Sequence, residues 1–90
     1  MDLWMTTRRA PWITSLSVEG RKLFVSGRNF DDGAVILLKG QEQRTRNDAQ
    51  NPSTTLISKK AGRKIQPGDK VQVQDPNGTL SQEFNFSGVD

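Results

Sequence analysis

Four basic side chains fall within six positions in the second half of the chain. They are Lys59, Lys60, Arg63 and Lys64. Clustered Lys and Arg can neutralise the phosphates of a nucleic acid or another anion. However, this basic segment, residues 59–64, has no aromatic residue that could stack on bases, and the sequence indicates no recognition helix. We therefore favour a solvated loop, predict that nucleic acid is an unlikely partner, and keep nucleic-acid contact as the alternative.

Two tryptophans near the start of the sequence are candidates for a glycan or partner contact. Trp12 follows Pro11 at the start of a predicted strand, where we expect it to cover one end of the core. Trp4 lies in the first ten residues and could anchor a neighbouring domain. One or two aromatic residues do not define a sugar-binding cleft, so a glycan contact stays an open alternative.

Metal binding and catalysis are poorly supported by the residue types. Cysteine and histidine are absent, which excludes disulfides, Cys/His zinc sites, and thiol or imidazole catalysis. Asp31 and Asp32 could join Asp69 or Asp75 around a calcium ion, but no calcium-loop spacing is present, and solvated turn residues are favoured. No nucleophile elbow or phosphate loop occurs. We predict that the chain is not an enzyme and needs no metal or cofactor.

Length and composition indicate one small folded domain. The chain has 90 residues, of which 32% are hydrophobic and 26% charged, with a net charge of +3. No apolar run reaches the roughly 18–20 residues that span a bilayer, so we expect no membrane insertion. Residues 1–10 have no apolar stretch of signal-peptide length, and the signal of an exported parent would lie outside this sequence.

Alternating apolar residues predict a series of short strands separated by turns. The predicted strands are residues 12–18, 22–27, 34–38, 54–58, 70–74 and 79–86, with a polar edge strand and loop over 41–51. Gly20 and Pro67-Gly68 mark turns, and Asn77-Gly78 predicts a type I′ hairpin turn. Six or seven strands at this spacing predict an all-β fold, a two-sheet antiparallel sandwich.

The same alternation predicts which side chains form the core. The predicted core residues are Leu23, Val25, Phe30, Val71, Val73, Phe84 and Phe86. Ile36 and Leu38 are preferred inward over Val35 and Leu37. Leu80 has the same parity as Phe84 and Phe86, which predicts that it shares their face of the last strand.

Several of these segments, in their order and spacing, resemble the IPT/TIG domain, an immunoglobulin-like fold shared by plexins and transcription factors. The matching segments are residues 11–13 with 15, then 23–30, 34–40, 67–69, 71–73, 77–78 and 81, and finally 84 with 86. The resemblance implies an immunoglobulin-like sandwich of about seven strands over residues 11–87. Residues 1–10 would then form an arm or linker, and residues 88–90 a short tail.

The first turn, residues 19–21, is shorter than in many members of that family. This short form resembles the versions in large bacterial secreted or surface proteins. The resemblance implies a non-catalytic spacer or interaction module of a multidomain extracellular protein, which contacts neighbouring domains or another protein. The alternative is a binding module that contacts nucleic acid through Lys59–Lys64 or glycan through an exposed Trp.

Overall fold

The computed structural model describes residues 10–87 of the chain. The predictions for the N-terminal arm, including Trp4, and for the tail at residues 88–90 lie outside the described residues.

Within the described residues, eight strands form two antiparallel sheets of four. The strands are β1 (Trp12–Glu19), β2 (Lys22–Arg28), β3 (Val35–Leu38), β4 (Gln41–Glu42), β5 (Thr45–Asn47), β6 (Thr55–Ser58), β7 (Lys70–Gln74) and β8 (Phe84–Asn85). One sheet has the order β1-β2-β6-β5 and the other β4-β3-β7-β8. This confirms the two-sheet antiparallel sandwich, and the strand order is that of immunoglobulin-type folds. The count is eight because the polar stretch 41–51 contributes one short strand to each sheet.

The core lies between the two sheets, as the alternation predicts. Leu23, Val25, Val71 and Val73 are fully buried, and Phe30 fills the core after β2. The remaining members of the predicted core behave similarly: Ile36, Leu38 and Phe86 are buried, and Phe84 is partly buried and packs against the cluster. These inward rows supply the apolar burial that stabilises so small a domain.

The first turn adopts the conformation that its glycine allows. Glu19 pairs with Lys22 across a two-residue loop, and Gly20 has a φ of 61° while Arg21 stays out of the positive region. Positive φ at only the first central position is the signature of a type II′ turn, which suits Gly. This turn fixes the register of the β1–β2 hairpin.

The turn after β7 is not the predicted type I′ turn. Gly78 has a φ of 94°, but Asn77 is not in the positive region that type I′ demands. Gly78 N instead donates to the carbonyl of Asp75 at 2.8 Å, and Thr79 N donates to Oδ1 of Asn77 at 3.0 Å. Pro76, whose ring fixes φ near −65°, sets the chain in a different turn.

The predicted last strand, residues 79–86, is also interrupted. Only Phe84–Asn85 is regular, and Leu80 is 46% exposed, contrary to its predicted parity. Ser81 is buried instead, because both its N–H and its hydroxyl are bonded to Val73 of β7. This irregular pairing breaks the two-residue alternation between Leu80 and Phe84.

Part of the basic segment is helical, whereas the sequence predicts a loop. The four residues Ala61–Lys64 form the helical turn α1, in which Ala61 is buried. Among residues 10–87, no helix has the length and apolar character needed to cross a membrane.

Candidate functional site

The basic segment is docked onto the β1–β2 hairpin. Gly62 N donates to the carbonyl of Arg21 at 2.9 Å. A Cβ atom on Gly62 would lie 2.7 Å from the carbonyl oxygen of Lys22, so the close approach requires glycine. The docking brings the cations that precede α1 next to those of the hairpin turn.

A cleft of about 350 Å³ opens between these two segments. It is lined by Glu19, Arg21, Lys22, Lys59 and Lys60. Four cations therefore share the cleft with one carboxylate. Arg63 and Lys64 are exposed in α1 and do not line this cleft, so the structure divides the four residues predicted from the sequence into two pairs.

The outer surface of the β1-β2-β6-β5 sheet continues from this cleft. Leu23 and Val25 of β2 face the core, so Lys22, Phe24 and Ser26 face outward. The register pairs Phe24 with Ile57, and Ile57 with Arg46. These three side chains therefore form one cross-strand row on the outside of the sheet.

A second row lies one step nearer the cleft. The register pairs Leu23 with Ser58, and Ser58 with Thr45. One residue further along this register, Lys22 lies opposite Lys59, and Lys59 lies opposite Arg44. Neighbouring strands lie about 5 Å apart, so the backbones of these three cationic residues fall within about 10 Å.

Ile57 links the two rows. It is only 4% exposed, yet it lies outside the main core cluster. A second cleft, of about 190 Å³, is lined by Ile57 together with Arg44, Thr45, Arg46 and Lys59. Long Lys and Arg side chains can cover apolar surface with their stems while their charged ends stay in water.

We define the cationic face as the outer surface formed by Lys22, Arg44, Arg46 and Lys59 around Phe24 and Ile57. Between residues 10 and 87, the one ion pair joins Lys70 to Glu83 at 3.4 Å, on the other sheet. The four cations of the face have no such ion pair among the described carboxylates, and the one carboxylate beside them is Glu19, opposite Lys22 in the β1–β2 register. Cations held close together repel one another. An anionic partner is favoured because it attracts each cation and relieves this repulsion.

Sequence reasoning missed most of this site because its residues come from three separate strands. Lys22, Arg44 and Arg46 join Lys59 only through the β2–β6 and β5–β6 pairings. A signal was present: Lys22 and Phe24 have the outward parity in β2, and Arg44 and Arg46 are two positions apart. That these residues lie on one sheet could not be inferred without knowing that β2 and β5 both pair with β6.

Trp12 stands apart from the cationic face, at the opposite end of β1. It is 47% exposed and pairs with Arg28 across the β1–β2 ladder. The prediction that it covers the core is wrong, because the neighbouring Ile13 takes the inward position. The exposed indole is compatible with a partner or glycan contact, and its cross-strand neighbour within residues 10–87 is Arg28 rather than an aromatic residue.

Of the aspartates considered for calcium, the fold brings Asp31 next to Asp75 and places Asp69 apart. Asp31 N donates to Oδ1 of Asp75 at 3.2 Å, whereas Asp69 accepts from Gln66 N at the other end of β7. Burial raises the pKa of Asp75, and the charge of Asp31 raises it further, against the lowering effect of that hydrogen bond. Within residues 10–87, no three acidic side chains are grouped so that they could hold a metal ion.

Comparisons with protein families, with curated proteins and with solved structures return no match for this chain.

Proposed function

We propose that the chain is a non-catalytic interaction module of a larger protein, and that its cationic face binds an anionic macromolecule. The observation that carries the proposal is the row of Lys22, Lys59 and Arg44 beside Phe24 and Ile57. An open sheet face with concentrated charge suits contact with an extended partner better than enclosure of a small substrate.

The resemblance to IPT/TIG domains supports the wider setting of this proposal. Such a domain would belong to a bacterial secreted or surface protein, in which it separates and contacts other domains. The cationic face would then give the spacer a specific point of attachment. Trp12, at the far end of β1, offers a separate contact for a neighbouring domain or a glycan.

A titration of the 15N-labelled chain with a heparin-derived octasaccharide tests the proposal. This probe carries dense negative charge without aromatic groups. At about 150 mM salt the Debye length is about 8 Å, so a diffuse excess of charge is screened and a dense cluster is favoured. We expect amide shifts to change in β2, β5 and β6 and to stay constant in β3 and β7.

Two variants with equal charge separate the face from the overall charge. The face variant is Lys22→Gln, Arg44→Gln, Lys59→Gln, and the control variant is Arg28→Gln, Lys39→Gln, Lys70→Gln. The shift changes should be lost in the face variant and kept in the control variant. Equal loss in both variants, or shifts that map to the β4-β3-β7-β8 sheet, would show that the face is not the binding surface.

A further inference from the structure

Charge and apolar surface are segregated on the cationic face. Lys22, Lys59 and Arg44 form one border, and Phe24 and Ile57 lie in the next row, which ends in Arg46. Residues of one strand that share a face are two positions apart, which separates the rows by about 7 Å. The face is therefore most densely charged along one edge and largely apolar beside it, with Arg46 at the β5 end of the apolar row.

Beyond the apolar row lies a row of hydroxyl groups. The register pairs Ser26 with Thr55, and Ser15 pairs with Ser26 on the other side. A hydroxyl can both donate and accept a hydrogen bond, so this row can contact polar edges of varied chemistry. Three kinds of surface thus follow one another across the sheet: cations, an aromatic and aliphatic pair, and hydroxyls.

Phe24 is not needed to fill the core between the sheets. It is partly exposed and absent from the main cluster and from the residues packed against it. An aromatic ring on an open sheet, bordered by cations, is the arrangement on which unpaired bases stack in many single-strand binding proteins. Phe24 supplies the aromatic group whose absence from residues 59–64 argued against nucleic acid.

Single-stranded nucleic acid has the same segregation as this face. Its phosphates follow one border and its flat bases project from the other, with polar edges beyond. An anionic polysaccharide carries its charges on the sugars themselves and has no separate aromatic side. A duplex stacks and pairs its bases, so that it has no free base face to stack on Phe24 and is held mainly through its phosphates.

We propose that the cationic face binds single-stranded nucleic acid, with phosphates along Lys22, Lys59 and Arg44 and a base stacked on Phe24. This inference rests on the proposed function, since it names the partner class of the same face. It differs from a simple charge effect in one respect: Phe24 contributes to the binding of single strands and does not contribute to the binding of other polyanions.

Fluorescence anisotropy with a labelled 15-nucleotide oligothymidine tests this difference at about 150 mM salt, a concentration that screens diffuse charge. Phe24→Leu retains an apolar side chain but removes the aromatic ring. It should weaken oligothymidine binding by about 5- to 150-fold, the range found for loss of one stacked base. Phe84→Leu, on the other sheet, serves as the matched control and should leave binding unchanged.

Two competitors identify the partner class. The wild-type chain should bind oligothymidine more tightly than a 15-base-pair duplex or the heparin octasaccharide, and Phe24→Leu should not alter binding of the octasaccharide. If Phe24→Leu fails to fold, the wild-type chain still provides a test, because stacking of thymine on Phe24 must shift the ring proton resonances of Phe24.

The outcomes separate this inference from the proposed function. Equal affinity for oligothymidine and the octasaccharide, with a neutral Phe24→Leu and unshifted ring protons, would overturn the single-strand inference and leave an anion-binding face. If none of the three probes perturbs the face, both proposals fail.

Discussion

The backbone of Val73 is bonded to the side chain of Ser81. Val73 N donates to Oγ of Ser81 at 2.8 Å, and Ser81 N donates to the carbonyl of Val73 at 2.8 Å. The hydroxyl thus replaces the backbone carbonyl that a regular strand would present to β7. The irregular segment around Ser81 can therefore pair with the fully buried Val73, and the N–H of Val73 is not left without a partner.

Ser81→Ala should therefore destabilise the domain by about 1–3 kcal/mol, the cost of a buried donor left without a partner. The exposed Ser87 gives a matched control, and Ser87→Ala should change the stability by less than about 0.5 kcal/mol. Urea denaturation of both variants measures the difference. Equal midpoints for the two variants would contradict the role assigned to the Ser81 hydroxyl.

The side chain of Gln82 closes the free edge of β1. Its Oε1 accepts from Ile13 N at 3.1 Å, and its Nε2 donates to the carbonyl of Ile13 at 2.7 Å. One amide thus satisfies both backbone groups of Ile13 on an edge strand, much as a neighbouring strand would. It also ties the β1-β2-β6-β5 sheet to the segment that precedes β8.

Gln82→Glu should break half of this contact in a pH-dependent way. An ionised carboxylate can still accept from Ile13 N, but it has no donor for the Ile13 carbonyl, and we expect a loss of about 1–3 kcal/mol at pH 7. Protonation below about pH 4 restores a donor, so the penalty should shrink there. Gln66→Glu at an exposed position is the control, and an equal pH trend in both would contradict the account.

Much of the fold could be predicted because it depends on local chemistry. The strict alternation of Val71 and Val73 and the glycine of the first turn determine strands and reversals within a few residues. The exposure of Leu80, by contrast, could not be predicted. It depends on the hydrogen bond between the hydroxyl of Ser81 and the backbone of Val73, which lies eight residues earlier in β7. No periodic pattern carries that information.

The candidate site was predicted only in part, for a related reason. Lys59 and Lys60 were recognisable because they are adjacent in sequence. Phe24 and Arg46 join them through pairings with β6 that connect distant segments. Arg63 and Lys64 were included for their charge alone, and the helical turn α1 places them apart from the first cleft.

Gly62→Ala should disturb both stability and the position of the basic segment. The new Cβ would lie 2.7 Å and 2.8 Å from the carbonyl oxygens of Lys22 and Arg21, which are backbone atoms with little freedom to move. Overpacking of this kind costs about 1–3 kcal/mol. Arg63→Ala, exposed in the same turn, should cost less than about 0.5 kcal/mol. Thermal denaturation compares them, and similar melting temperatures would show that the docking is not tight.

Asp75 should make the domain relatively less stable as the pH rises. Its native pKa is raised above the ordinary value of 3.8, chiefly by burial, so the native state binds this proton more tightly than the unfolded state. The resulting stabilisation is full below pH 3.8 and is lost as the pH rises through the native pKa. Asp75→Asn keeps an oxygen acceptor for Asp31 N but does not titrate.

The stability of Asp75→Asn relative to wild type should therefore increase from about pH 3 to pH 7, since only the wild-type chain must ionise a buried carboxyl. Urea midpoints across this range give the difference directly. A difference that is constant with pH, or that changes in the opposite direction, would contradict a raised pKa for Asp75.

The salt dependence of oligothymidine binding tests the central claim most directly. For single strands, log Kobs falls with log salt by about 0.7 for each phosphate that a cation neutralises. If Lys22, Arg44 and Lys59 each contact one phosphate, the face variant should reduce the magnitude of this slope by about 2. The control variant at Arg28, Lys39 and Lys70 should leave the slope close to that of wild type. Equal reductions in both variants, or an unchanged slope in the face variant, would contradict binding at the cationic face.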